Sequence, residues 1–127
     1  MRAADLIKRP PISCFPSTSL KEVIKIMRNN NVGSVMIVDG GKLLGIFTER
    51  DLVKALDEGA KLEEPISKYM NPSPITAKAD ESLESVVRKM LNNGLRHIPV
   101  VDSEGNVLGV ISIKDIVETL YEGCNPP

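Results

Sequence analysis

The amino-acid sequence is written twice, and no other feature limits its possible folds so tightly. Pro11-Ile12-Ser13 returns 63 positions later as Pro74-Ile75-Thr76. At the same offset Leu20 meets Leu83, Met27 meets Met90, Asn29-Asn30 meets Asn92-Asn93, and Val38-Asp39 meets Val101-Asp102. The offset then becomes 64: Leu44-Gly45 meets Leu108-Gly109, Asp51 meets Asp115, Val53 meets Val117, and Leu56-x-Glu58-Gly59 meets Leu120-x-Glu122-Gly123. The one-residue slip falls between Asp39-Gly40-Gly41-Lys42 and Asp102-Ser103-Glu104-Gly105-Asn106. Both stretches are rich in turn formers, where an inserted residue costs little. A fixed period of this length marks an architecture built from one repeated unit.

Each copy reads as strand, helix, strand, strand, helix. Leu20, Val23, Ile24 and Met27 fall on one face of a helix, as do Leu83, Val86, Val87, Met90 and Leu91. Ser19 with Glu22 predicts a capping box at the first helix, and Ser82 predicts the cap of its counterpart. Val35–Val38 and Ile98–Val101 are short β-branched runs that suit buried strands. A glycine-containing turn leads from each into Leu43–Phe47 or Val107–Ile111, so each pair reads as a hairpin. The closing helices are predicted at Glu49–Leu56 and Ile113–Leu120. Neither copy has the surface to close a core alone, so the expected fold is α+β, with two pseudo-symmetric βαββα repeats packed sheet to sheet as one module. The repeats are placed at residues 1–59 and 71–127, with 60–70 as linker and lead-in.

Composition narrows the function. The chain has 127 residues, enough for one core without metal or disulfide staples. Aromatic residues are only 3%, with no Trp, which leaves few rings for stacking bases. Net charge is −1 with acid and base interspersed, so no nucleic-acid partner is expected. Cys14 and Cys124 lack CxxC spacing and read as reduced thiols of a cytoplasmic protein. No segment has the length of a membrane span, and the first ten residues hold no apolar signal core, so no membrane association is expected. There is no glycine loop of the Walker type and no Ser-His-Asp grouping, so catalysis is not expected. No Cys or acidic residue stands at metal spacing from His97, the single histidine, so no metal is expected there.

Two closing phrases, Gly45-Ile46-Phe47-Thr48-Glu49-Arg50-Asp51 and Gly109-Val110-Ile111-Ser112-Ile113-Lys114-Asp115, stand in register. Together with Arg96-His97-Ile98-Pro99-Val100-Val101-Asp102, they resemble the CBS domain family over nearly the whole chain. The resemblance implies a tandem pair with two ligand clefts and a tendency to form a flat dimer. It implies regulation by an adenosine compound (AMP, ADP, ATP or S-adenosylmethionine), with no cofactor required. With no catalytic domain in the chain, the regulated protein is expected to be a separate partner, and a symmetric homodimer is expected, paired through the apolar helix faces Leu20/Val23/Ile24/Met27 and Leu83/Val86/Val87/Met90. A ligand-free dimerisation scaffold stays open as the second reading, with a nucleic-acid-associated role behind it.

The resemblance also assigns the site. Thr48-x-x-Asp51 and Ser112-x-x-Asp115 are, on local grounds, helix-start capping arrangements. The same geometry lets each carboxylate accept hydrogen bonds from ribose hydroxyls while nearby N–H groups and the Thr or Ser hydroxyl meet phosphate. Arg50 and Lys114 read either as a solvated helix face or as phosphate contacts. Arg96 and His97 are expected to meet phosphate; the first copy has Gly33-Ser34 there, so the two clefts should be unequal. The extended entries Ile12-Ser13-Cys14 and Ile75-Thr76-Ala77 read as edge strands or, by resemblance, as the backbone that meets the adenine edge.

Overall fold

The computed structural model describes residues 1–124, with side chains through Glu122. Cys124 closes the last helix, and its side chain lies outside the described residues. The chain divides into two compact units, one of residues 11–74 and one of residues 1–10 with 75 onward.

The first unit holds β1 (Ser13–Cys14), α1 (Leu20–Asn30), β2 (Ser34–Asp39), β3 (Lys42–Thr48) and α2 (Glu49–Asp57). The second repeats the order with β4 (Ala77–Lys78), α3 (Leu83–Asn93), β5 (His97–Val101), β6 (Val107–Ser112) and α4 (Ile113–Cys124). Each sheet has three strands. β2 and β5 are central, flanked by a parallel entry strand and an antiparallel hairpin partner.

The observed elements match the sequence reading to within a few residues. Ser19 and Ser82 cap α1 and α3 by accepting from the N–H of Glu22 and Ser85. The expected reciprocal bond from Ser19 N–H to the Glu22 carboxylate is not made, so Ser19 supplies a simple cap and not a box. Both helices end on a left-handed residue at the same repeat position, Asn31 in one and Gly94 in the other. The single-residue insertion sits in the second hairpin turn. Gly40-Gly41, at φ 57° and 82°, close the first hairpin tightly. In the longer second turn the Asp102 carboxylate accepts from the backbone N–H of Glu104 and Asn106, each at 2.9 Å.

The repeat extends further than the matching residues suggest. Ala3 N–H donates to Glu81 C=O at 2.7 Å, and 63 positions later Ile66 N–H donates to Thr18 C=O at 2.7 Å. Ala4 to Ala79 and Ser67 to Pro16 repeat the relation, as do Leu83 to Met1 and Leu20 to Glu64. Thus the lead-in at 1–10 packs on the second repeat, and the segment after α2 packs on the first. Ala3 and Leu6 are buried in one core with Val86, Met90, Ile98, Val100 and Ile111. Ile66 is buried in the other with Leu20, Val23, Val35, Ile37 and Phe47. Glu64 ties its segment down by accepting hydrogen bonds from Lys68 Nζ, Tyr69 O–H and Lys61 N–H. Those bonds, that from Lys68 foremost, pull its carboxyl down to about 2.

Candidate functional site

Each unit gathers its conspicuous polar residues at one end of its sheet. The reason is strand order. The start of β5 pairs with the end of β6, His97 opposite Ser112, and Ile113 N–H donates to Arg96 C=O at 2.9 Å. The basic pair Arg96-His97 is therefore fixed beside the first turn of α4. In the first unit Ser34 lies opposite Thr48, and Glu49 N–H donates to Gly33 C=O at 3.1 Å. The scaffold is the same, but Gly33-Ser34 brings no charge to it.

The two helix starts differ in how fully their carboxylates are used. At α2, Asp51 Oδ2 accepts from the backbone N–H of Thr48 at 3.0 Å and its hydroxyl at 3.1 Å. Asp51 N–H returns a bond to Thr48 Oγ1, so the box is complete. Asp51 is half-buried. At α4, Asp115 Oδ2 accepts from Ser112 N–H at 2.9 Å, and Asp115 N–H donates to Ser112 Oγ at 3.1 Å. Asp115 is only 5% exposed, and its Oδ1 accepts no hydrogen bond among the described residues. A buried carboxylate oxygen without a donor is costly, and native structures keep such groups where a function needs them.

The other candidates range from exposed to buried. Arg50, Lys114 and Arg96 are exposed. Lys114 Nζ lies 3.8 Å from Glu118 Oε1, along the solvated face of α4. His97 is half-buried. In the entry segments the side chains of Cys14 and Ala77 pack into their cores, and burial pushes the Cys14 thiol's pKa up against a smaller downward pull from Thr18. Ile12 is half-buried; Ser13 and Ile75 are exposed. Met36 N–H donates to Ile12 C=O at 2.9 Å. At the equivalent place Pro99 has no N–H to give Ile75 C=O. Thr76 C=O accepts from Lys89 Nζ at 2.9 Å, and the same ammonium is held by Glu81. Burial acts to raise the Glu81 pKa, but bonds from Ser85, Lys89 and Lys78 outweigh it and the carboxyl sits below its ordinary value.

The structure adds one residue that the sequence reading missed. Arg9 Nη2 lies 4.0 Å from Asp115 Oδ1. It belongs to the lead-in, 106 positions away in sequence, and nothing in its local context marks it as part of this site. Among the described residues no three His, Cys, Asp or Glu side chains form a metal-binding group, and no helix is long and apolar enough to cross a membrane.

The CBS domain model matches this chain twice, over residues 3–58 and 66–122. A 17.7 kDa protein of Acidianus ambivalens is 34% identical over 108 residues, covering 84% of this chain and 65% of the relative. The L-aspartate semialdehyde sulfurtransferase of Methanocaldococcus jannaschii is 37% identical over 113 residues, covering 88% of this chain but only 22% of that enzyme. The chain thus spans less than two thirds of either curated relative. Among solved structures, a CBS domain protein from Pyrobaculum aerophilum complexed with AMP superposes with a TM-score of 0.88 at 28% identity, covering 99% of this chain and 100% of that one. The CBS domain pair of protein MJ0100, in complex with 5′-methylthioadenosine and S-adenosyl-L-methionine, gives 0.87 at 33% identity, covering 94% and 99%.

Proposed function

The chain belongs to the CBS domain family, and on that premise we propose that it is a regulatory module that binds an adenosine compound, with the second repeat as the stronger site. The observation that carries this is Asp115: a carboxylate 5% exposed at a helix start, with one oxygen bonded to Ser112 N–H and the other lacking a donor. A ribose diol supplies the O–H donors such an oxygen lacks. Similar CBS pairs were crystallised with AMP and with S-adenosyl-L-methionine, which share that diol. Arg96 and His97 stand beside the same helix start, ready for the anionic end of a nucleotide. Thr48, Arg50 and Asp51 form the weaker, less charged counterpart. The role is regulation and not catalysis, and its output passes to a protein partner in the cytoplasm. A ligand that binds only the folded state must raise its stability. Calorimetry and thermal melts with AMP, ADP, ATP and S-adenosylmethionine should therefore show binding and a raised Tm for at least one, with GMP weaker. If all four fail at millimolar concentration, the sensor reading is lost.

A dimer accompanies this reading, on a different surface from the one the sequence suggested. The apolar faces of α1 and α3 bury Leu20, Val23, Met27, Val86 and Met90 in each unit's own core, with Ile24, Leu83 and Val87 packed against them, so that Leu91 is the one residue of those faces left exposed. Exposed apolar residues recur at helical spacing on α2 and α4 instead. They are Val53 at 69% and Leu56 on one, and Val117 at 59%, Leu120 and Tyr121 on the other. Their spacing makes a continuous stripe on each helix. A symmetric homodimer through these stripes is the expected state. Light scattering at tens of micromolar should give the mass of two chains, and Val53→Glu with Val117→Glu should halve it. A strict wild-type monomer removes the dimer, and with it the scaffold reading that these stripes favour.

A further inference from the structure

We propose that Arg9 makes the second repeat's site select the phosphate-bearing form of its ligand. The inference rests on the adenosine reading above and adds a residue and a specificity to it.

Arg9 is held in place by its own stretch of chain. The preceding residues are fixed by the bonds from Ala3 to Glu81 and from Ala4 to Ala79, and Arg2 Nη1 donates to Asp80 C=O at 2.9 Å. Ile7 packs on Gly109, where an added Cβ would lie 2.8 Å from Ile7 Cδ1. Pro10 then restricts the backbone of Arg9 to extended conformations. The guanidinium reaches the α4 start from this anchored segment, and its side chain stays 51% exposed.

The contact with Asp115 is an ion pair without a hydrogen bond, since 4.0 Å exceeds hydrogen-bond range. Arg9 therefore balances the buried charge without using the acceptor positions of Oδ1. Ribose hydroxyls can take those positions while the guanidinium keeps its fork of N–H donors for a second anion. A phosphate on the same sugar is the anion that such a ligand brings nearest. Lys114, which the sequence offered for this task alongside Arg96 and His97, lies instead beside Glu118. The position 63 residues after Arg9 is Pro72, so the first repeat has no equivalent cation.

Titrating AMP and adenosine into wild type, Arg9→Ala and Arg9→Lys decides the matter. Arg9→Ala should weaken AMP by about tenfold or more, the worth of a charge-assisted bond, and change adenosine by less than about twofold. Arg9→Lys should recover part of the AMP affinity, because an ammonium supplies the charge without the bidentate fork. Equal losses for AMP and adenosine, or no loss for either, would overturn the assignment while leaving the adenosine reading intact. Wild type that binds neither compound overturns this assignment, and the adenosine reading falls with it when ADP, ATP and S-adenosylmethionine fail as well.

Discussion

Asp115→Asn is expected to weaken binding of an adenosine compound by one to two decades while leaving the fold almost unchanged. The two effects separate because the two oxygens have different tasks. Oδ2 accepts from Ser112 N–H and holds the start of α4. An asparagine keeps one acceptor for that N–H, so the cap survives. Oδ1 accepts no bond within the described chain, and the substitution replaces its charge with an NH₂ that clashes with incoming O–H donors. Loss of a hydrogen bond to a charged group costs about 1.5–3 kcal/mol, and 1.4 kcal/mol is about a factor of ten in affinity. Asp51→Asn should cost less. Asp51 Oδ2 already takes two bonds from Thr48, the residue is more exposed, and no Arg96-like cation stands beside it. Calorimetry on both variants, with urea unfolding as the control for folding, reads the difference. Equal affinities for Asp115→Asn and wild type would remove Asp115 from the site.

How much of this was legible in the sequence depended on whether local chemistry repeated itself. The helices and hairpins were readable because Leu20, Val23 and Met27 recur as Leu83, Val86 and Met90 with the same 3.6-residue spacing. The helix-start carboxylates were readable because Thr48-x-x-Asp51 and Ser112-x-x-Asp115 carry their own capping logic. The lead-ins were not. Ala3, Leu6 and Ile7 stand at the same offset from Ile66, Tyr69 and Met70, but no residue is identical, and only the apolar pattern persists. Which copy such a segment packs on is a tertiary choice that periodicity does not encode. Arg9 was missed for the same reason, since its partner is set by that packing and not by its neighbours in sequence. The mistaken dimer surface has a different origin. An apolar helix face looks the same in sequence whether it covers its own sheet or another chain, and α1 and α3 cover their own.

The largest loss of stability is expected from a single methyl group, at Gly45. A Cβ there would sit 2.6 Å from the Asn71 carbonyl oxygen and 2.7 Å from Met70 Sδ. The sulfur can move, but the carbonyl is held. Ile46 N–H donates to it at 3.0 Å, and Asn71 N–H donates to Ile46 C=O at 2.8 Å. Making room therefore means giving up a two-bond bridge that fastens the returning chain to β3. Overpacking a tight site costs about 1–3 kcal/mol, and each backbone bond lost adds about 1 kcal/mol. A total of about 3–5 kcal/mol is expected, enough to lower Tm by about 10 °C or more in a domain of this size. Gly109 is the same residue of the second repeat, and the comparison is internal. The nearest atoms to its Cβ would be Ile7 side-chain carbons, from 2.8 Å, and a rotamer change can relieve that contact. Gly109→Ala should cost about 1 kcal/mol or less for that reason, and the clash should disappear when combined with Ile7→Ala, which removes all three of the contacting atoms. Urea unfolding of the two alanine variants is the measurement. If Gly45→Ala proves no more costly than Gly109→Ala, the bridge at Asn71 yields more easily than its hydrogen bonds imply, and the segment after α2 is not fastened to β3 in the way described.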